Sequence, residues 1–167
     1  MRRRKARELA LRMLYQMETN NEDVALALAK YCELFPYQAD IIGYAAEILS
    51  GVTKEAPAIT KCLESASEHW KLGRITYVDR NVLRIGAYEL LFSTDVPPKV
   101  AIDEAIELGK KYGNEDSKDV INGILDRVMR DHYNAIDRLP PETGTADPQG
   151  KTGRNRSTGR GKRANKA

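Results

Sequence analysis

The chain has 167 residues, of which 31% are charged, 41% hydrophobic and only 7% aromatic, and its formal net charge is +3. A chain near 150 residues is of single-domain size and buries roughly 68–70% of the surface its unfolded form exposes, so neither a disulfide nor a metal is needed to hold it. No apolar run approaches the roughly 18 residues of a membrane-spanning helix, and Arg12 interrupts any signal-peptide core, although the basic, amphipathic residues 2–17 also have the makeup of a mitochondrial presequence, against which Glu8 argues.

Glycine and proline punctuate the chain at helix-sized intervals, and alternating runs of Val, Ile, Thr and aromatics are nearly absent. This predicts helices at about 3–18, 22–35, 37–52, 55–69, 77–93, 98–112 and 117–137: an all-α fold, a compact bundle of about seven helices. Asn21 is a candidate N-cap for the second helix, Pro36 ends it, and Gly51 follows the third. Asp95-Val-Pro-Pro opens the sixth helix, with Pro97 or Pro98 in its first turn, where a missing N–H is harmless. Ser117 is a candidate cap for the last. The fifth, YVDRNVLRIGAYELLF, is apolar around most of its circumference and is expected at the centre, with Arg80, Arg84 and Tyr88 as its polar ridge; its arginines are expected to pair with acidic neighbours. Residues 1–139 form the expected domain. Residues 140–167 contain no Ile, Leu, Val or aromatic residue, have nothing to bury against the entropy of ordering, and are expected to be a disordered basic tail.

The net charge conceals its distribution. Residues 1–12 carry six basic residues against Glu8, residues 140–167 carry seven against Glu142 and Asp147, and the stretch between them is acidic, with 14 basic and 21 acidic residues. On a helical wheel Ala6, Leu9, Ala10, Met13, Leu14 and Met17 share one arc, between about 140° and 280°, and Arg4, Arg7, Glu8, Leu11, Arg12 and Tyr15 lie on the other side. Basic side chains at the amino end of a helix oppose its dipole at roughly 0.3–1 kcal/mol each, so they favour an anionic partner. Arginine beside an aromatic suits nucleic acid, the guanidinium meeting phosphate and the ring stacking a splayed base. A solvated basic face and a helix lying on a membrane or a partner helix fit the same charges, the membrane least, since only Leu11 and Tyr15 could insert.

Motifs for chemistry are lacking. His69 and His132 stand apart without ligand spacing, Cys32 and Cys62 read as ordinary reduced, buried thiols of a cytoplasmic protein, and no phosphate-binding or hydrolase motif occurs. Asp103, Glu104 and Glu107 precede Lys110 and Lys111 at helical spacing and suit a salt-bridged face, with Glu107 facing both lysines, better than paired catalytic carboxylates. No enzyme, cofactor or metal is expected.

Four segments, RRRKARELALRMLYQ, WKLGRITYVDRNVLRIGAYELL, VPPKVAIDEAIELGKKYG and EDSKDVINGILDRV, together resemble the NusB family of bacterial transcription antitermination factors, in the family's order from about Arg2 to Val128. The resemblance implies a compact all-helical, non-catalytic protein that pairs with the ribosomal protein NusE, binds the single-stranded boxA element of nascent RNA, notably in ribosomal RNA leaders, and joins an antitermination complex on RNA polymerase. By position it implies RNA contacts at Arg3, Arg4, Lys5, Arg7 and Tyr15, and at Asp116, Lys118 and Asn122. It sets Asp79, Val82 and Glu89, with the segment after Val100, towards NusE. One departure is Val120, where the family often has an aromatic, which leaves a stacking contact there without its ring. Two rival readings are a helical adaptor that binds only protein, and a stand-alone relative of the NusB-like domain of ribosomal RNA cytosine methyltransferases, whose catalytic domain does not follow here. A homodimer through Leu11 and Tyr15 is a further expectation.

Overall fold

A computed structural model describes residues 2–20, 23–68 and 75–137. Among them run seven helices and no strand: α1 (Arg2–Asn20), α2 (Val24–Leu34), α3 (Ala39–Lys54), α4 (Ala56–Ala66), α5 (Tyr77–Phe92), α6 (Pro98–Tyr112) and α7 (Ser117–Asp137). The expected tail and the cap expected of Asn21 lie outside the described residues, as does His69.

Helix ends follow local chemistry. Asp23 caps α2: its Oδ1 accepts the backbone N–H groups of Ala25 and Leu26 at 3.0 and 3.2 Å. Thr76 caps α5 by accepting the N–H of Asp79 at 3.1 Å, and Pro98 opens α6. Ser117 is already inside α7. Its hydroxyl accepts the N–H of Asn114 at 2.8 Å and donates to Asn114 Oδ1 at 3.1 Å, tying the α6–α7 turn together, while the carbonyl of Asp116 accepts the N–H of Val120.

Gly51 does not end α3. It lies within the helix, where an added Cβ would come 2.1 Å from the Tyr88 ring, so the residue is needed for close approach to α5 and not for a turn. That approach is possible because α5 is central, packed against α1, α3, α4, α6 and α7. Nine of its residues are buried, including Val82, Leu83, Ile85, Ala87 and Leu90. Gly86 lets α7's Leu125 come in against α5, and Gly109 admits Ile121 against α6, which draws the last three helices into one closely spaced layer.

α1 is covered on more sides than one amphipathic arc provides for. It packs against α2, α3 and α5 and is reached by side chains of α6, so Leu11 is only 4% exposed and Arg7 only 3%. On the wheel the buried arc reaches about 340° and takes in both residues. Leu11 is therefore core, and of the pair expected at a homodimer contact only Tyr15 is exposed. Cys32 and Cys62 are free and half-buried rather than buried, their thiols pushed up mainly by burial. No described helix is long and apolar enough to cross a membrane.

Candidate nucleic-acid interface

The first two turns of α1 present Arg2, Arg3, Arg4 and Lys5 at the surface, and the fold supplies a carboxylate to each arginine. Arg2 donates to Asp40 of α3 at 2.8 Å. Arg3 reaches Asp95, in the α5–α6 connection, at 3.4 Å, and its guanidinium lies 4.9 Å from the centre of the Tyr44 ring. Arg4 makes two bonds to Glu104 of α6, at 2.6 and 3.0 Å, and this pairing holds the Glu104 carboxyl below its ordinary range. Lys5 makes no ion pair among the described residues.

Arg7 departs from the expectation of an RNA contact. It is buried, its Nε donates to both oxygens of Glu89 at 2.9 and 3.0 Å, and Nη1 reaches Glu104 at 3.3 Å. Glu89 also accepts a short bond from the Tyr44 hydroxyl, whose pKa is driven upward first by burial and then by that bond. The charge of Arg7 is spent inside the protein, joining α1 to α3, α5 and α6.

Further along α1, Glu8 accepts Lys111 Nζ at 2.8 Å and the Tyr112 hydroxyl at 3.1 Å, both from the last turn of α6. Lys111 thus turns to α1 and leaves Glu107 to Lys110 alone. Arg12 lies 5.9 Å from the centre of the Tyr112 ring and donates to the Tyr31 hydroxyl, and Tyr15, 47% exposed, follows one turn later. Directly after Tyr112 the turn at 113–116 leads into α7, where Asp116, Lys118 and Asn122 are exposed. The two segments that the resemblance associates with RNA are therefore bridged by the end of α6. The sequence offers little signal for this placement of Lys111 and Tyr112 beyond a lysine at the end of a helix. Val120 is 7% exposed and packs in the core.

The residues set towards a protein partner are not at the surface. Asp79, Val82 and Glu89 are 3%, 0% and 1% exposed. Asp79 accepts from the Thr76 hydroxyl through Oδ2, while its Oδ1 is buried without a hydrogen-bond partner; Val82 is core; Glu89 holds Arg7 and Tyr44. At the helical spacing of α5 all three point inward, because this helix has neighbours on nearly every side. What reaches the surface beside them is Tyr77, Phe92 and Val100, at 58%, 41% and 43%. On the polar ridge, Arg84 pairs with Glu18 of α1 at 2.7 Å, as a carboxylate partner was expected, whereas Arg80 lies over the Tyr77 ring with its Nε unpartnered. His132 sits edge-on to Tyr133, and no group of three His, Cys, Asp or Glu among the described residues is arranged to hold a metal ion.

The family model for NusB matches residues 4–130. The transcription antitermination protein NusB of Anaeromyxobacter dehalogenans is 45% identical over 128 residues, covering 76% of this chain and 89% of that protein. Among solved structures, NusB of T. maritima superposes with a TM-score of 0.70 at 38% identity, covering 77% of this chain and 90% of that one. A chain from the crystal structure of antitermination factors NusB and NusE in complex with dsRNA gives a TM-score of 0.70 at 26% identity, over 78% and 97%.

Proposed function

This chain belongs to the NusB family, and from that premise we propose that it is a transcription antitermination factor that works as a pair with a NusE-type ribosomal protein to bind boxA RNA in nascent transcripts. The role is one of binding, carried out in the cytoplasm and without catalysis. The observation that carries the reading is the surface of α1: exposed Arg2, Arg3, Arg4 and Lys5 at one end and Tyr15 at the other, joined through Glu8, Lys111 and Tyr112 to Lys118 and Asn122 of α7. Cations in such a row follow a phosphate backbone, and an exposed ring beside them takes a base. Arg3 and Arg4 are half-exposed, and exposed ion pairs are worth only about 0–1 kcal/mol, so a phosphate can replace their carboxylates. Arg7 acts by holding α1 in place. The protein partner is set against the side of α5 and α6 where Phe92 and Val100 emerge, with Glu89, one turn before Phe92, as support beneath that surface.

Fluorescence anisotropy with a labelled boxA RNA, with and without NusE, tests this. Tight binding of boxA only in the presence of NusE, with scrambled RNA held much more weakly, is the expected result. Equal affinity for the two RNAs in the presence of NusE overturns the reading.

A further inference from the structure

Arg2, Arg3 and Arg4 of α1 are each met by an acid that sequence proximity does not explain. Asp40, Asp95 and Glu104 lie 38, 92 and 100 residues from their partners and come from three places in the fold: the first turn of α3, the α5–α6 connection and the middle of α6. The exposure of the pairs is graded. The Arg2–Asp40 side chains are 68% and 45% exposed, Arg3–Asp95 49% and 66%, Arg4–Glu104 50% and 17%, and Arg7–Glu89 4% and 1%. The innermost pair is structural, and the outer ones stand where RNA would arrive.

We propose that Asp40, Asp95 and Glu104 are specificity determinants of the RNA face: built-in competitors that hold the α1 arginines and that RNA must displace. The inference rests on the RNA-binding reading above. A strand that offers only phosphates gains little by trading one anion for another on Arg2, Arg3 and Arg4, and finds only Lys5 without a paired acid among these four. A strand anchored through base contacts at Tyr15 and Asn122 has a second source of binding free energy and tolerates the exchange. Removing the acids therefore favours the unanchored strand most, since it slides to whichever cations are released while the anchored one keeps its register. Specificity is a difference of affinities, and penalising the wrong ligand enlarges it.

The test uses the full chain carrying Asp40→Asn, Asp95→Asn or both, with Asp103→Asn as a control for overall charge, since Asp103 is exposed and makes no ion pair among the described residues. Glu104 is left intact because it also holds Arg7. Scrambled RNA is expected to bind each single variant about two- to fivefold more tightly, the range that an exposed ion pair implies. The double variant is expected to gain about tenfold, with a salt slope steeper by roughly 0.7 for each arginine released. Affinity of the NusE-bound protein for boxA is expected to rise less than that for scrambled RNA. A gain below twofold in the double variant, the same gain from Asp103→Asn, or equal gains for boxA and scrambled RNA overturns the proposal. If the parent protein with NusE fails to tell boxA from scrambled RNA, the RNA-binding reading itself fails, which is a separate result.

Discussion

Replacing Arg7 by Met removes a cation buried against two carboxylates. Glu89, 1% exposed, would keep only the Tyr44 hydroxyl, and Glu104 would keep only Arg4. Breaking a buried ion pair from one side costs about 3–5 kcal/mol because the remaining charge is left uncompensated, whereas replacing both partners by apolar residues of similar volume is often close to neutral. Arg7→Met is therefore expected to lower the unfolding free energy by about 3–5 kcal/mol, and Arg7→Met with Glu89→Met to recover most of the loss. Urea unfolding followed by circular dichroism at 222 nm, in parent, single and double variants, measures this directly. A cost below about 1 kcal/mol for Arg7→Met would refute the reasoning. So would a variant of undiminished stability that loses boxA affinity, since that is the behaviour of a direct RNA contact.

Other measurements bear on the remaining elements. Gly51→Ala, which in an open helix gains stability, is expected to cost about 1–3 kcal/mol, because the new methyl meets the Tyr88 ring at 2.1 Å; thermal unfolding reads this out. Tyr15→Ala is expected to weaken boxA binding by about 1–3 kcal/mol, the worth of one stacked base, with the helical signal in circular dichroism retained. Lys118→Ala is expected to weaken all RNA alike and to reduce the salt slope by roughly 0.7. The Glu104 carboxyl is held low by Arg4, so its stabilisation is present above the ordinary carboxylate value of about 4.3 and is lost as pH falls through the lowered one. Tyr44 shifts the other way, so its contribution is full below about pH 10 and is lost above it as the pH rises through the raised pKa. Glu104→Gln is expected to flatten the acid limb of a stability profile and Tyr44→Phe the alkaline limb.

The helices and most of their ends are legible in the sequence because they rest on local chemistry, proline at the start of α6 and apolar residues at helical spacing; the individual caps are less so, since Asp23 accepts the first N–H groups of α2 and Ser117 lies inside α7. The misreadings share one cause. A wheel gives α1 a single buried face, but the fold covers it from several sides and takes in Leu11 and Arg7 as well. Counting charges registers an excess of arginine at residues 1–12 and an excess of acid further on, yet which acid meets which arginine is decided by contacts 38 to 100 residues apart. Gly51 reads as a helix stop until Tyr88 is seen to occupy the space beside it. The resemblance points to the α7 segment, but the link from it to α1 through Glu8, Lys111 and Tyr112 exists only in three dimensions.

The wide spacing of the Arg7 partners also bears on how the molecule is made. Chains emerge from the ribosome amino end first, and domains fold as their parts become available. α1 is synthesised first, yet Glu89 and Glu104 lie 82 and 97 residues beyond Arg7. Helices α5, α6 and α7 are consecutive neighbours joined by short turns, so they can close on one another quickly; α1 can meet α2 and α3 early, but its Arg7 pairs must await long-range closure. The first helix to be synthesised thus carries an ion pair that is among the last to be completed, and until Glu104 has emerged Arg7 stands without its full set of acids.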